Sequence, residues 1–340
     1  MTPVPDFTLP AALEAREPPE ARGRGRDGVR LLVGRRATGQ VGHHRFRDLP
    51  DLLAPGDLLV VNTSATLPAA VRLDKLAVHF STPLPGEDDL WLVELRLRSG
   101  EASVPYGGGR TGEWLPMPGG ATLTLLRRHT GRLWAARLST GVVPYLHRHG
   151  VPIRYGHVRR DWPLAAYQTV FAHDRGDGGA EMPSAARPFT AELVAALVSR
   201  GVLLAPLTLH TGVASLRAHE PPYAERYEVP EATAALVEHV RARGGRVIAV
   251  GTTVVRALET AVDAHGRVRP SRGWTEHVVT PESDVRAVDG LLTGLHAPGA
   301  SHLEMVAAIA GPGLMEAAYR AALDDGYLWH EFGDSHLILP

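Results

Sequence analysis

The chain has 340 residues, 44% hydrophobic and 21% charged, with 36 basic side chains against 37 acidic ones and no cysteine. That is enough apolar material for one large core or two modest ones, and the near-zero balance excludes disorder through charge excess. Disulfides, thiol nucleophiles, iron–sulfur clusters and Cys-based zinc sites are excluded, and with Lys75 as the single lysine so is a Schiff-base lysine anywhere else.

Residues 1–28 are rich in Pro, Arg and Gly, a composition that buries little surface, and they read as an extended N-terminal arm. Met1 to Asp6 lacks the basic and then apolar pattern of a leader, and no later apolar run approaches the roughly 18 to 20 residues of a membrane span. The expectation is a soluble, cytoplasmic protein with no membrane partner. Arg30 to Val33 and Asp57 to Val61 are short apolar runs that read as buried strands, with a short helix over Phe46 to Leu53.

From about Val71 to Leu138 the pattern changes to short β-branched or alternating runs, as in Trp91 to Leu97, Ala121 to Leu126 and Arg132 to Leu138, separated by Gly and Pro. This predicts antiparallel β structure. After Tyr167 helix and strand alternate. Thr190 caps a helix to Arg200 with Leu193, Val194, Leu197 and Val198 on one face, and a strand follows from Val202 to Leu209. Next come a helix from Glu231 to Arg243, a strand from Arg246 to Val250 and a helix from Thr253. A strand near Val285 to Leu292, helices near His302 to Ala310 and Leu314 to Leu323, and a last strand Ser335 to Leu339 complete the chain. The reading is a main α/β domain over 29–70 and 155–340 with an inserted β domain over 71–154.

The turn Gly251-Thr252-Thr253 joins a strand to a helix and offers free backbone N–H groups to a carboxylate, phosphate or ribose. Arg256 and Glu259 follow at the spacing of an intrahelical ion pair. His210 and His296 each stand just past a strand end, where α/β folds gather their sites; hydrogen-bonded structural histidines are the plainer alternative. Seventeen histidines invite a metal, but His330-Glu331 lacks the second histidine of H-E-x-x-H, and His43-His44 and His147-Arg-His149 read as basic loops, so no metal site is expected. No nucleophile elbow or P-loop is present. Arg127, Arg128, Arg132, Arg137, Arg148, Arg154, Arg159 and Arg160, interleaved with Trp134, Tyr145, Tyr155 and Trp162, form a stretch that suits either nucleic acid or a solvated face.

In order along the chain stand Arg45-Phe-Arg-Asp-Leu49, Pro55 to Asn62, Tyr167-Gln-Thr-Val-Phe-Ala172, Thr208-Leu-His-Thr-Gly212, Glu225 with Tyr227-Glu-Val229, Ala249 to Thr253 with Arg256 and Glu259, Gly273-Trp-Thr275, Leu291-Leu-Thr293, His296 to Pro298 and Gly333-Asp334. This series, from Leu31 to Leu339, resembles the bacterial S-adenosylmethionine:tRNA ribosyltransferase-isomerase family of queuosine biosynthesis. The resemblance implies an α/β fold, a barrel-like main domain carrying an inserted antiparallel β domain. It also implies S-adenosylmethionine as a ribosyl donor rather than a methyl donor, with 7-aminomethyl-7-deazaguanine in tRNA as acceptor.

That chemistry needs a base for the C5' proton beside the sulfonium and a donor to departing adenine. His210 and His296 are the candidate base and acid, with Glu225 beside them. Asp334 and Glu225 suit the amine or ribose hydroxyls, Arg256 the methionine carboxylate, and Asn62, Thr208, Gly212, Tyr227, Gly251, Thr252 and Thr253 complete the binding set. Asn62-Thr-Ser-Ala65 stands where the family has Asn-Asp-Thr-Arg, Ala186-Arg187-Pro188 replaces Gly-Leu-His, Gly294-Leu295 replaces Asn-Phe, and the segment from Arg217 to Glu225 is shortened. His302, Glu304 and His336 are polar where the family is apolar. These departures leave two alternatives: a paralogue that passes part of S-adenosylmethionine to a small molecule, or a catalytically silent binding protein.

Overall fold

A computed structural model describes residues 6–99, 102–173, 175–213 and 223–340. The chain lays down β1 (Arg30–Arg35), β2 (Gln40–Arg45), the short helix α1 (Leu49–Leu52) and β3 (Leu58–Asn62). It then departs for β4 (Ala70–Arg72), β5 (Leu76–Leu84), β6 (Glu87–Ser99), β7 (Ala102–Pro105), β8 (Trp114–Pro116), β9 (Thr122–Arg128) and β10 (Leu133–Leu138). After α2 (Val142–His149) it returns with α3 (Ala191–Ser199), β11 (Leu203–Leu209), β12 (Glu225–Val229), α4 (Glu231–Ala242), β13 (Val247–Val250) and α5 (Thr252–Thr260). The remainder is β14 (Ser271–Thr275), β15 (Gly290–Gly294), α6 (His302–Ala310), α7 (Pro312–Asp324) and β16 (Ser335–Leu339).

The main sheet has nine strands in the order β14-β12-β11-β3-β13-β15-β16-β1-β2. At its centre every residue of β3 is buried, because helices cover both faces and a strand so placed must be apolar throughout. Leu58 and Val60 point into one core with Val237, Leu258 and Leu303, while Leu59 and Val61 point into the other with Phe46, Phe189 and Leu197. β3 runs parallel to β11 and β13, and β13 runs parallel to β15. The carboxyl ends of four strands, at Asn62, Leu209, Val250 and Gly294, therefore open on one side, where open α/β sheets bind ligands.

The second sheet orders its strands β4-β5-β6-β10-β9-β8, with β7 on β6, all antiparallel. It surrounds a separate core built on Phe80, Trp91 and Trp134. The molecule is thus the expected α/β fold with an antiparallel β unit between its first and later halves.

Several local expectations change. His147-Arg-His149 forms the last turn of α2 rather than a loop, where positive charge suits the helix dipole. The strand expected from Val285 begins only at Gly290, because the amides of Arg286 and Ala287 are taken by the Glu259 carboxylate at 3.0 and 2.7 Å. Glu259 is therefore not paired with Arg256. On α3, Thr190 caps Leu193 N at 3.1 Å and Leu193 and Leu197 are buried, but Val198 is exposed.

The N-terminal segment is held against the body rather than extended. Ala15 is buried and its N–H donates to Trp329 O at 3.1 Å, Arg26 reaches Gln168 O at 2.8 Å, and Arg22 reaches Phe332 O at 2.8 Å. The cause is Arg187, one of the departures from the family pattern. Buried in the body, it pairs with Glu20 at 3.0 Å and donates to Ala166 O at 2.9 Å. A buried guanidinium needs a counter-charge, and the segment supplies it. Glu20→Ala should therefore cost about 2 kcal/mol, visible as a lower urea midpoint; an unchanged midpoint would show the segment docks without this pair.

Candidate active site

Two cavities open at the carboxyl edge of the parallel strands. The first, about 480 Å³, has on one wall Gly251, Thr252 and Thr253 at the start of α5, and Thr293 to Ala297 beyond β15. The facing wall comes from Ile153, Tyr155 to His157, Ala180 to Ala185 and His330-Glu331. Gly251 turns the chain from β13 into α5 with φ of 100°, a conformation that favours glycine, and leaves the first amides of the helix facing the cavity.

His296 lies on this wall. Its Nε2 meets Thr293 Oγ1 at 2.9 Å, its N–H donates to Tyr319 OH at 3.3 Å, and its carbonyl accepts from Trp329 Nε1 at 3.1 Å. The ring stacks on His302 with centroids 4.9 Å apart. Burial, with His302, His336 and His330 nearby, holds the His296 imidazole well below its usual range, so it is neutral. Burial and Arg256 push His302 down to about 4.

The opposite wall carries groups the sequence reading did not bring together. Tyr155 stacks over His157 at 6.2 Å, and His157 over His330 at 4.0 Å. Tyr155 OH is hydrogen-bonded to Glu181, and His157 Nε2 meets Glu331 at 2.9 Å. Burial and the Glu181 carboxylate push the Tyr155 phenol well above its ordinary value. His330 has a φ of 74°, the one positive value at a non-glycine residue among those described, and strain of this kind collects at functional sites.

The second cavity, about 470 Å³, is lined by Thr208, His210, Tyr227, Arg226, Glu228, Arg272 and Trp274 from β11, β12 and β14, with Arg175 and Asp177. His210 is therefore not in the cavity of His296. Its Nδ1 lies 2.9 Å from Ser64 Oγ and its Nε2 3.3 Å from Arg226 Nη2. Arg226 can only donate, so Nε2 accepts and the proton of the neutral ring sits on Nδ1, facing Ser64. Burial pushes His210 down to about 4 against the opposing pull of Asp177. The Tyr227 hydroxyl meets Ser271 Oγ at 2.6 Å, and Thr208 Oγ1 meets Thr63 Oγ1 at 3.1 Å.

Other expected site residues lie beneath the two cavities and tie them together. Asn62 is fully buried, donating to Leu209 O and Thr253 Oγ1 and accepting from Ser64 N and Leu209 N at 2.9 to 3.2 Å. All its capacity is spent on joining β3, β11 and α5. Glu225, also buried, accepts Gly212 N at 2.7 Å and pairs with Arg256. A Cβ at Gly212 would stand 2.5 Å from Ser81 Oγ and from Tyr223 OH, so only glycine fits. Arg256 Nε donates to His277 O at 2.9 Å.

Two residues given binding roles by the sequence lie outside the first cavity. Arg256 does not line the first cavity, and its guanidinium is engaged by Glu225 and His277 O. Asp334 is buried outside the first cavity and accepts Arg30 N and Leu328 N at 2.7 and 2.8 Å, a clasp between β1 and the turn before β16. The shortened segment from Arg217 lies, up to Pro222, outside the described residues.

The basic stretch is largely neutralised. Arg127 pairs with Glu87, Arg137 with Asp89 at 2.6 Å, Arg132 with Glu94 at 3.4 Å and Arg154 with Asp161 at 3.3 Å. Arg128 and Arg160 lie over Trp134 and Trp162 at 4.4 and 4.1 Å. Among the described residues no group of three or more His, Asp or Glu is arranged to hold a metal, and no helix is long and apolar enough to cross a membrane.

Residues 5–338 match the family model described as queuosine biosynthesis protein. The S-adenosylmethionine:tRNA ribosyltransferase-isomerase of Symbiobacterium thermophilum is 37% identical over 347 residues, with 98% of each chain covered. That of Anaeromyxobacter dehalogenans is 37% identical with the same coverage. The crystal structure of the S-adenosylmethionine tRNA ribosyltransferase of Thermotoga maritima is 29% identical and superimposes with a TM-score of 0.56, covering 98% of this chain and 99% of that one. These names give no support to a small-molecule acceptor. With two cavities at the strand ends and similarity running from end to end, the chain belongs to the queuosine biosynthesis family of S-adenosylmethionine:tRNA ribosyltransferase-isomerases.

Proposed function

We propose that this protein transfers the ribosyl part of S-adenosylmethionine to the aminomethyl group of 7-aminomethyl-7-deazaguanine in tRNA, isomerises it to an epoxycyclopentane and releases adenine and methionine. The observation that carries the reading is full-length similarity to the ribosyltransferase-isomerases together with a cavity of about 480 Å³ whose wall holds a neutral histidine. Its cytoplasmic setting follows from the tRNA acceptor.

The residues of the first cavity suit the donor. Two cationic groups must be accommodated, the sulfonium and the aminomethyl group of the acceptor, and Glu181 and Glu331 bring carboxylates to the wall. The open amides at the start of α5, with Thr252 and Thr253, suit the methionine carboxylate. His296, neutral and hydrogen-bonded to Thr293, can take the C5' proton and return it to the departing adenine. Glu225, Arg256 and Asn62 act as positioning residues beneath it. The neutralised basic stretch over 127–160 leaves Arg148 and Arg159 exposed, so tRNA contact there is confined to a few side chains.

The test is incubation with S-adenosylmethionine, with and without tRNA bearing the aminomethyl-deazaguanine base, following adenine, methionine and modified nucleosides by mass spectrometry. Release of both products only when that tRNA is present is the expected result. Release without tRNA, or none while S-adenosylmethionine binds, would overturn the reading.

A further inference from the structure

The second cavity is not needed to hold S-adenosylmethionine, yet its lining is built for another ligand. It lies on the outer face of the antiparallel strands β11, β12 and β14, where Thr208 pairs with Glu228, Arg226 with Trp274 and Glu228 with Arg272. Because side chains alternate along a strand, Arg226, Glu228, Arg272 and Trp274 share this face while Glu225, Tyr227 and Thr275 are buried behind it. Arg175 joins them from the segment before Asp177.

The charges do not cancel. Asp177 is taken up by Arg226, with His210 at 3.7 Å, and His210, whose Nε2 accepts from Arg226, is kept neutral chiefly by its burial. Against the remaining Glu228 stand two exposed guanidinium groups, Arg175 and Arg272, neither within an ion pair of a carboxylate among the described residues. Beside them is the half-buried Trp274 indole. Guanidinium groups next to an accessible indole suit a phosphate with an unstacked base attached, the usual form in which proteins read single-stranded RNA.

The position fits as well. His210 lines this cavity and the next residue, Thr211, lines the first, so the two chambers adjoin at the end of β11. An RNA loop that presents one base to the first chamber must pass its neighbouring nucleotide close to this junction.

We propose that the second cavity is a subsite for single-stranded RNA, receiving a nucleotide adjacent to the modified base, its phosphate at Arg175 and Arg272 and its base on Trp274. The proposal rests on tRNA being the acceptor. It is tested with full-length protein and an RNA stem-loop carrying 7-aminomethyl-7-deazaguanine in its single-stranded loop, by measuring binding from 50 to 300 mM salt, with S-adenosylmethionine affinity as the control for folding.

Arg272→Gln should lower the slope of log affinity against log salt by about 0.7, the value for one single-strand phosphate contact. Trp274→Ala should weaken binding roughly 5- to 100-fold, and both variants should bind S-adenosylmethionine as the parent does. Arg320→Gln, on the exposed face of α7 away from both cavities, should leave the slope unchanged. If the parent binds the stem-loop but Arg272→Gln and Trp274→Ala bind it equally well, or if Arg320→Gln lowers the slope as much, the subsite is wrong while the tRNA reading stands. If the parent shows no salt-dependent binding at all, both fall together.

Discussion

Below pH 6.5 the urea midpoint of this protein should fall steeply, and by about pH 5 the native state should be lost. The cause is a set of buried histidines that the fold keeps neutral. Burial pushes His302 and His336 down to about 4, and His79, with Arg96 and Arg72 nearby, down to about 3. His210 is likewise held at about 4, and His296 well below its ordinary value. In the unfolded chain each returns to about 6.5.

The sign follows directly. Above pH 6.5 both states are neutral at these rings and the native state keeps its full stability. Between 6.5 and about 4 the unfolded chain binds protons that the native state refuses, so stability falls by about 1.4 kcal/mol per pH unit for each histidine. For His79, His210, His302 and His336 the slope approaches about 5 kcal/mol per pH unit, and the loss by pH 5 is about 8 kcal/mol, comparable with the whole stability of an ordinary domain, with His296 adding in the same direction.

His336 offers a sharper version of the same test. Neither of its ring nitrogens meets a hydrogen-bond partner among the described residues, and it is fully buried against Tyr319. His336→Met should leave neutral-pH stability equal or improved and remove one proton from the acid slope. A urea midpoint that stays flat from pH 7.5 to 5 would show that these rings are not held neutral by the fold.

Much of the main sheet could be read from the sequence because its central strands are apolar without interruption. The runs from Leu58, Leu203, Val247 and Ser335 were expected within a residue or two of where they lie. β12 and β14 were less visible, since Glu225-Arg-Tyr-Glu-Val229 and Ser271-Arg-Gly-Trp-Thr275 owe their pairing to neighbours in the sheet and not to their own hydrophobicity. The Arg256–Glu259 spacing predicted a local pair that lost to distant partners, Glu225 and the amides of residues 286 and 287. Local spacing carries no information about such competition. The wall of Tyr155, His157, Glu181, His330 and Glu331 joins segments up to 176 residues apart in number, from 155 to 331, and no one-dimensional pattern announces it. Motif order located the strand ends; only the fold could divide His210 and His296 between two chambers.

That division decides where the proton-transfer step should be sought. His296→Ala should lower turnover with S-adenosylmethionine and modified tRNA by about 10²- to 10⁴-fold, the usual worth of a positioned acid–base group, with tRNA affinity nearly unchanged. His296 lines the first cavity and is neutral, and among the described residues its Nε2 meets only the Thr293 hydroxyl, a partner able to accept or donate as the ring changes its protonation. His210→Ala should act differently. Its Nε2 is already committed to Arg226 and its Nδ1 to Ser64, so removing it frees Arg226 and disturbs the second chamber, raising the KM for tRNA more than it lowers kcat. Turnover by His296→Ala within about threefold of the parent, together with a 10²-fold fall in kcat for His210→Ala at unchanged tRNA affinity, would move the proton step to His210. Such a result would require the Arg226 contact to break when substrate binds, which the Asp177 carboxylate, within reach of both side chains, makes a specific and measurable event: Asp177→Asn would then change kcat as well.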